Sequence, residues 1–109
     1  MAVKPNPSRE AVRAVVPRMI ELSEDLIYAD IWERPNMSKR DRSLFVIASL
    51  VATYRPEQLK GHIGRGLDNG LTKDEIAEVI THLAFYSGWP ASMTAARVLR
   101  EVLEERGLA

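Results

Sequence analysis

Residues Leu59–Arg97 read LKGHIGRGLDNGLTKDEIAEVITHLAFYSGWPASMTAAR and hold both histidines of the 109-residue chain, every glycine except Gly107, and its clearest helix boundaries. Thr72-Lys-Asp-Glu75 has the spacing of a capping box, in which a hydroxyl and a carboxylate satisfy orphan amides of a first helical turn. Ile76, Val79, Ile80 and Leu83 then fall at i, i+3, i+4 and i+7, so a helix over about 73–85 is expected to carry one apolar stripe. Asn69-Gly70 ends the helix before it, whose first turn suits Pro56 and which runs to about Asp68. Gly88-Trp89-Pro90 opens a last helix, with Ala91, Ala95, Val98, Leu99 and Val102 inward and Gly107 as its stop.

Upstream the same periodicity continues. Residues 1–7, with two prolines and an asparagine, read as a loose arm, after which Ser8 is the expected cap of a helix starting near Arg9. Val12, Val15, Val16, Met19, Ile20, Leu22 and Leu26 recur at helical spacing, but Pro17 must interrupt them. Tyr28–Met37 reads as an irregular connection. Ser38-Lys-Arg-Asp41 resembles a second capping box and opens a central helix through Leu44, Phe45, Ile47, Ala48, Leu50 and Val51, which Tyr54-Arg55-Pro56 interrupts. No period-2 pattern competes, so the expected fold is an all-α single domain of about five to six helices over 1–109.

Composition removes several functions. Fifteen basic and fifteen acidic side chains leave no net charge, so no nucleic-acid or membrane partner is expected. The chain has no cysteine, which excludes disulfides, thiolate nucleophiles and zinc–sulfur sites. No apolar run approaches the about 18 residues of a membrane span and the N-terminus lacks a signal-like core, so the expected location is cytoplasmic. Neither histidine sits in a metal-binding spacing, no serine lies in a Gly-x-Ser-x-Gly elbow, and GHIGRG has neither the preceding strand nor the Gly-Lys-Ser/Thr of a phosphate loop.

Chemistry near neutral pH therefore starts from His62 or His82. Each is spaced to border the apolar face of its own helix, which implies half-buried imidazoles. Gly61, Gly64 and Gly66 lie mid-helix at about 1 kcal/mol each relative to alanine, and close approach of another helix, a second copy or a ligand is the expected compensation, with Gly61 and Gly64 sharing one side.

Four blocks carry a family resemblance: Asp30–Leu44, Arg55–His62, Asp68–Ile76 and Tyr86–Ala91. In order and spacing they are similar to the carboxymuconolactone decarboxylase family, over about residues 26–102. The resemblance implies an alkylhydroperoxidase D-like helical unit that assembles with itself into trimers or hexamers. Peroxidase relatives carry Cys-x2-Cys-x3-His; placed on His62, their cysteines fall at Arg55 and Gln58 and an upstream glutamate at Ser43, so thiol peroxidase activity is not implied. Decarboxylase members have the Arg-Ser-Leu seen at Arg42–Leu44 and the Pro/Glu-rich turn seen at Pro56–His62. After the tyrosine those members read Gly-x-Pro-Ala-Ala-Asn-Ser-Ala-Phe-His, whereas this chain has Met93 in place of the asparagine and Arg97 in place of the histidine, changes that would remodel a substrate pocket.

What the resemblance implies is a cofactor-free lyase or acid/base enzyme for an unsaturated lactone or oxo acid. Loss of carbon dioxide allylic to an unsaturated lactone leaves a dienolate that the lactone carbonyl stabilises, so no prosthetic electron sink is required. His62 is then the expected proton donor, Arg42 or Arg34 the clamp for a small-molecule carboxylate, and Tyr86 or His82 the stabiliser of the enolate oxygen. Trp32 and Trp89 would exclude water. The alternative is a non-catalytic homo-oligomeric or small-ligand-binding protein on the same scaffold.

Overall fold

The computed structural model describes residues 6–109, which are all helical or irregular with no strand among them. They divide into two compact units, one ending at Met37 and one spanning Ser38–Ala109. Most of the expected loose arm lies outside the described residues.

The first unit comprises α1 (Pro7–Arg13), α2 (Pro17–Leu22), a π-helical turn (Ser23–Tyr28) and a 3-10 turn (Ile31–Glu33). Asn6, not Ser8, caps α1, its side-chain oxygen accepting from the amides of Ser8 and Arg9 at 2.8 and 3.1 Å. Pro7 thereby occupies the first turn, where its missing N–H costs nothing. Pro17 starts α2 in the same way, so the expected break falls between the two helices. The apolar spacing to Leu26 continues as a widened turn, in which the Ala29 amide reaches back five residues to the Glu24 carbonyl. Arg13 bridges Glu10 and Glu24, Tyr28 stacks on buried Trp32, and the Arg9 guanidinium lies 5.0 Å from the Tyr28 ring centre.

The second unit is a four-helix assembly of α3 (Lys39–Ala52), α4 (Pro56–Asp68), α5 (Lys73–Leu83) and α6 (Trp89–Glu105). Helix α3 packs most extensively on α4, and α6 packs on α4 and α5. Ile47, Val51, Leu59, Ile63, Leu71, Ile76, Ile80, Ala95, Val98, Leu99 and Val102 form one core. The capping box at Thr72 and Glu75 forms in full, but that at Ser38 forms by half: Ser38 Oγ accepts from the Asp41 amide, and the shorter Asp41 carboxylate pairs with Arg40 instead. Helix α5 ends at Leu83 rather than Phe85, because residues 84–87 tighten into turns whose amides bond three or four residues back.

Three helix ends share one device, a left-handed residue followed by an amide bonding five residues back. Gly70 and Gly107 close α4 and α6 in this way, as expected. At the end of α3 the left-handed residue is Tyr54, with φ 57°, a conformation that costs a side-chain-bearing residue about 1 kcal/mol or more.

The mid-helix glycines divide differently from the spacing expectation. A Cβ on Gly66 would stand 2.9 Å from Ile47 Cδ1 and 3.0 Å from Leu71 Cδ1, both core side chains. Gly64 faces the Arg106 guanidinium, which donates to the Gly64 carbonyl at 3.0 Å and pairs with Asp68. Gly61 has nothing within 4 Å of its Cβ position, so it shares no close contact with Gly64. Gly61→Ala should therefore raise stability by about 0.5–1 kcal/mol through helix propensity alone, whereas Gly66→Ala should lower it by about 1 kcal/mol despite the same propensity gain. Urea unfolding of the two variants measures the difference.

Candidate active site

The candidate residues fall into three environments. His62 lies on α4 one turn before Gly66, and its imidazole is half-buried. Burial first, then the positive charge of Arg65, lowers its pKa from the ordinary 6.5 to about 4. At neutral pH His62 is thus a neutral imidazole beside a guanidinium, a pairing that favours a bound anion. Arg65 is the cation that acts on it, and Arg42, in the first half of α3, is not among the charges that do. Sequence reasoning passed over Arg65, although its place three residues after His62 puts both on one helical face.

His82, by contrast, is exposed on the last turn of α5, not half-buried as its spacing suggested. Its ring stacks on Tyr86 at 5.0 Å with 9° between planes. It also borders an open groove of about 430 Å³ between α3 and α5, lined by Leu44, Ala48, Val79 and Leu83 with Glu75 and Glu78. Glu75 is already engaged by the Thr72 amide and by Arg40, while Glu78 has no ion pair or side-chain hydrogen bond among the described residues. Of the nine candidate residues the groove takes in His82 alone.

The third environment is the corner between α5 and α6. Gly88, at φ 103°, turns the chain so that Trp89 meets Phe85 edge-on at 5.8 Å between centroids. Tyr86, Trp89, Met93 and Arg97 are all exposed there, so among the described residues Trp89 and Tyr86 do not close off a site. Trp32 and Arg34 belong to the N-terminal unit, Trp32 buried and Arg34 exposed. Among the described residues no cluster of three or more His, Asp or Glu side chains could hold a metal ion, and no helix is long and apolar enough to cross a membrane.

Two measurements check the His62 environment. Its imidazole should titrate near pH 4 by NMR, and Arg65→Gln should move that midpoint upward without restoring 6.5, because burial remains. A base whose folded pKa is depressed leaves the unfolded chain binding the extra proton between the two values. Stability present above pH 6.5 is therefore lost as the pH falls toward about 4. Allowing for partial exposure, urea unfolding should lose on the order of 1–2 kcal/mol over that window, and His62→Gln should remove this part of the pH dependence.

The model of the carboxymuconolactone decarboxylase family matches residues 17–101. The 4-carboxymuconolactone decarboxylase of Acinetobacter baylyi is 39% identical over 82 residues, covering 75% of this chain and 61% of that protein. The nitrosuccinic acid decarboxylase npaB of Metarhizium robertsii is 27% identical over 85 residues, 78% of this chain and 59% of that protein. The chain thus spans about three-fifths of the length of these curated relatives. With the family pattern running through both units, an all-helical fold and no cysteine for the peroxidase chemistry, the chain belongs to the carboxymuconolactone decarboxylase family.

Proposed function

We propose that the protein is a decarboxylase-like lyase acting on an unsaturated lactone or oxo acid, with His62 as the proton donor. The observation that carries this reading is the neutral, half-buried His62 imidazole beside Arg65 in a chain of this family. The names of both relatives describe loss of carbon dioxide from an acid that also bears an electron acceptor, a lactone in one and a nitro group in the other. In each case the electron pair of the breaking carbon–carbon bond passes to that acceptor. The protein's task is then to hold the anion and return one proton to carbon.

Arg65 suits the first part of this task, since a cation beside the acceptor oxygen gains strength as charge develops there. His62 suits the second. Negative charge brought in by the substrate offsets Arg65 and raises the imidazole pKa, so the proton is taken up in the complex and delivered to the carbanion carbon. The carboxylate clamp is assigned to Arg42 or Arg34, and water exclusion to Trp32 and Trp89. No prosthetic group is needed for the electron flow, because the substrate supplies its own acceptor. The assembly is a homo-oligomer, a trimer or hexamer, which supplies cover for the exposed α5–α6 corner.

The open groove beside His82 favours a second reading, a non-catalytic protein that binds a small ligand, because His62 does not line that groove. Incubation with 4-carboxymuconolactone, related oxo-lactones and nitrosuccinate, followed by ultraviolet absorbance and carbon dioxide release, separates the two. Turnover should occur, and His62→Ala should lower kcat by about 100-fold or more, with Arg65→Gln lowering it as well. Turnover that survives His62→Ala would refute the proton-donor role. Absence of turnover on every such acid would leave the binding reading.

A further inference from the structure

The α5–α6 corner exposes more apolar surface than a lone protomer has use for. Phe85, Tyr86, Trp89 and Met93 are 76%, 78%, 59% and 46% exposed and follow one another from the end of α5 along one face of α6. Contiguous patches of this kind mark contact sites. The apolar α3/α5 groove lies directly beside this corner, because His82 both borders the groove and stacks on Tyr86. Knob and groove are thus neighbours on one surface, which is what a two-fold contact requires: each copy offers the same patch, and each knob meets the other copy's groove.

Length and charge point to the same occupant. Trp89 and Arg97 are eight residues apart on α6, as are Glu75 and Leu83 on α5, so stripe and groove wall are each about 12 Å long at 1.5 Å per residue. With Trp89 at the Leu83 end, Arg97 arrives opposite Glu75, and Glu78, three residues or about 4.5 Å along α5, is within reach of its long side chain. Among the described residues Glu78 and Arg97 have no charged partner, and both are exposed. The acidic rim disfavours an anionic small molecule in the groove but suits an arginine-bearing helix.

We propose that two copies of this chain pair by seating the Phe85–Met93 corner of each in the α3/α5 groove of the other, with Arg97 of one meeting Glu78 of the other. The proposal rests on the homo-oligomeric reading above and specifies its contact. A hexamer of three such pairs accommodates it; a ring of three does not. In the pair His82 and Tyr86 are screened from water by the second copy, so the groove becomes a chamber only on assembly.

Sedimentation equilibrium of the full chain tests the proposal. Wild type should sediment as an even multiple of the protomer mass. Glu78→Arg and Arg97→Glu should each weaken the pairing by about tenfold or more, and the double variant should restore it. Because the chain has no cysteine, Ala48→Cys mixed with Met93→Cys should also give an intermolecular disulfide joining the two variants, a readout that does not depend on the charge swaps. A monomeric wild type would overturn the homo-oligomeric reading together with this contact. An oligomer in which neither swap changes the mass and no 48–93 cross-link forms would overturn this contact alone.

Discussion

Helix α4 lies against α3 so closely that residue 66 has no room for a side chain: Ile47 and Leu71 methyl groups already occupy the space where a Cβ would stand. The rest of the unit follows from that approach. Leu59 and Ile63, on the same face of α4, are driven fully into the core, and Ser43 of α3 is buried opposite, where its hydroxyl accepts from the Asn69 side chain at 2.9 Å. His62 stands one turn from Gly66 on the same helix and is half-buried. Its loss of water is the larger cause of its lowered pKa, so the chemistry available to the imidazole is set by a packing constraint.

The two histidines illustrate how differently one residue type is used within a single unit. His62 is desolvated and lies next to a cation; His82 is solvated, stacked on a phenol and one turn beyond Glu78. A proton held at His62 responds to the charge beside it, because burial leaves little water to screen that charge.

The N-terminal unit is held by another kind of force. Helix α1 buries no residue, and its ties include the ion pairs of Arg13 with Glu10 and Glu24 and the stacking of Arg9 and Trp32 on Tyr28. Exposed ion pairs contribute little individually, so the prolines at 7 and 17, which start each helix without wasting an amide, matter more to its shape than the charges do.

Capping and period were local enough to be legible in the chain. Thr72 with Glu75, Pro56, Gly70, Gly107 and the apolar stripe of α5 specified where helices begin, end and turn their faces, because each acts within a turn or two of itself. Family membership was legible as well, since it rests on the order of such local blocks. What tertiary structure decided depends on neighbours distant in sequence. Local spacing treated the α4 glycines alike, but only packing against Ile47, Leu71 and Arg106 distinguished Gly66 and Gly64 from Gly61. Likewise, similar spacing gave His62 and His82 the same expected burial, and only the folded chain left one half-buried and the other in water. Burial and electrostatic environment are sums over elements brought together by folding, and a single helix's periodicity does not contain them.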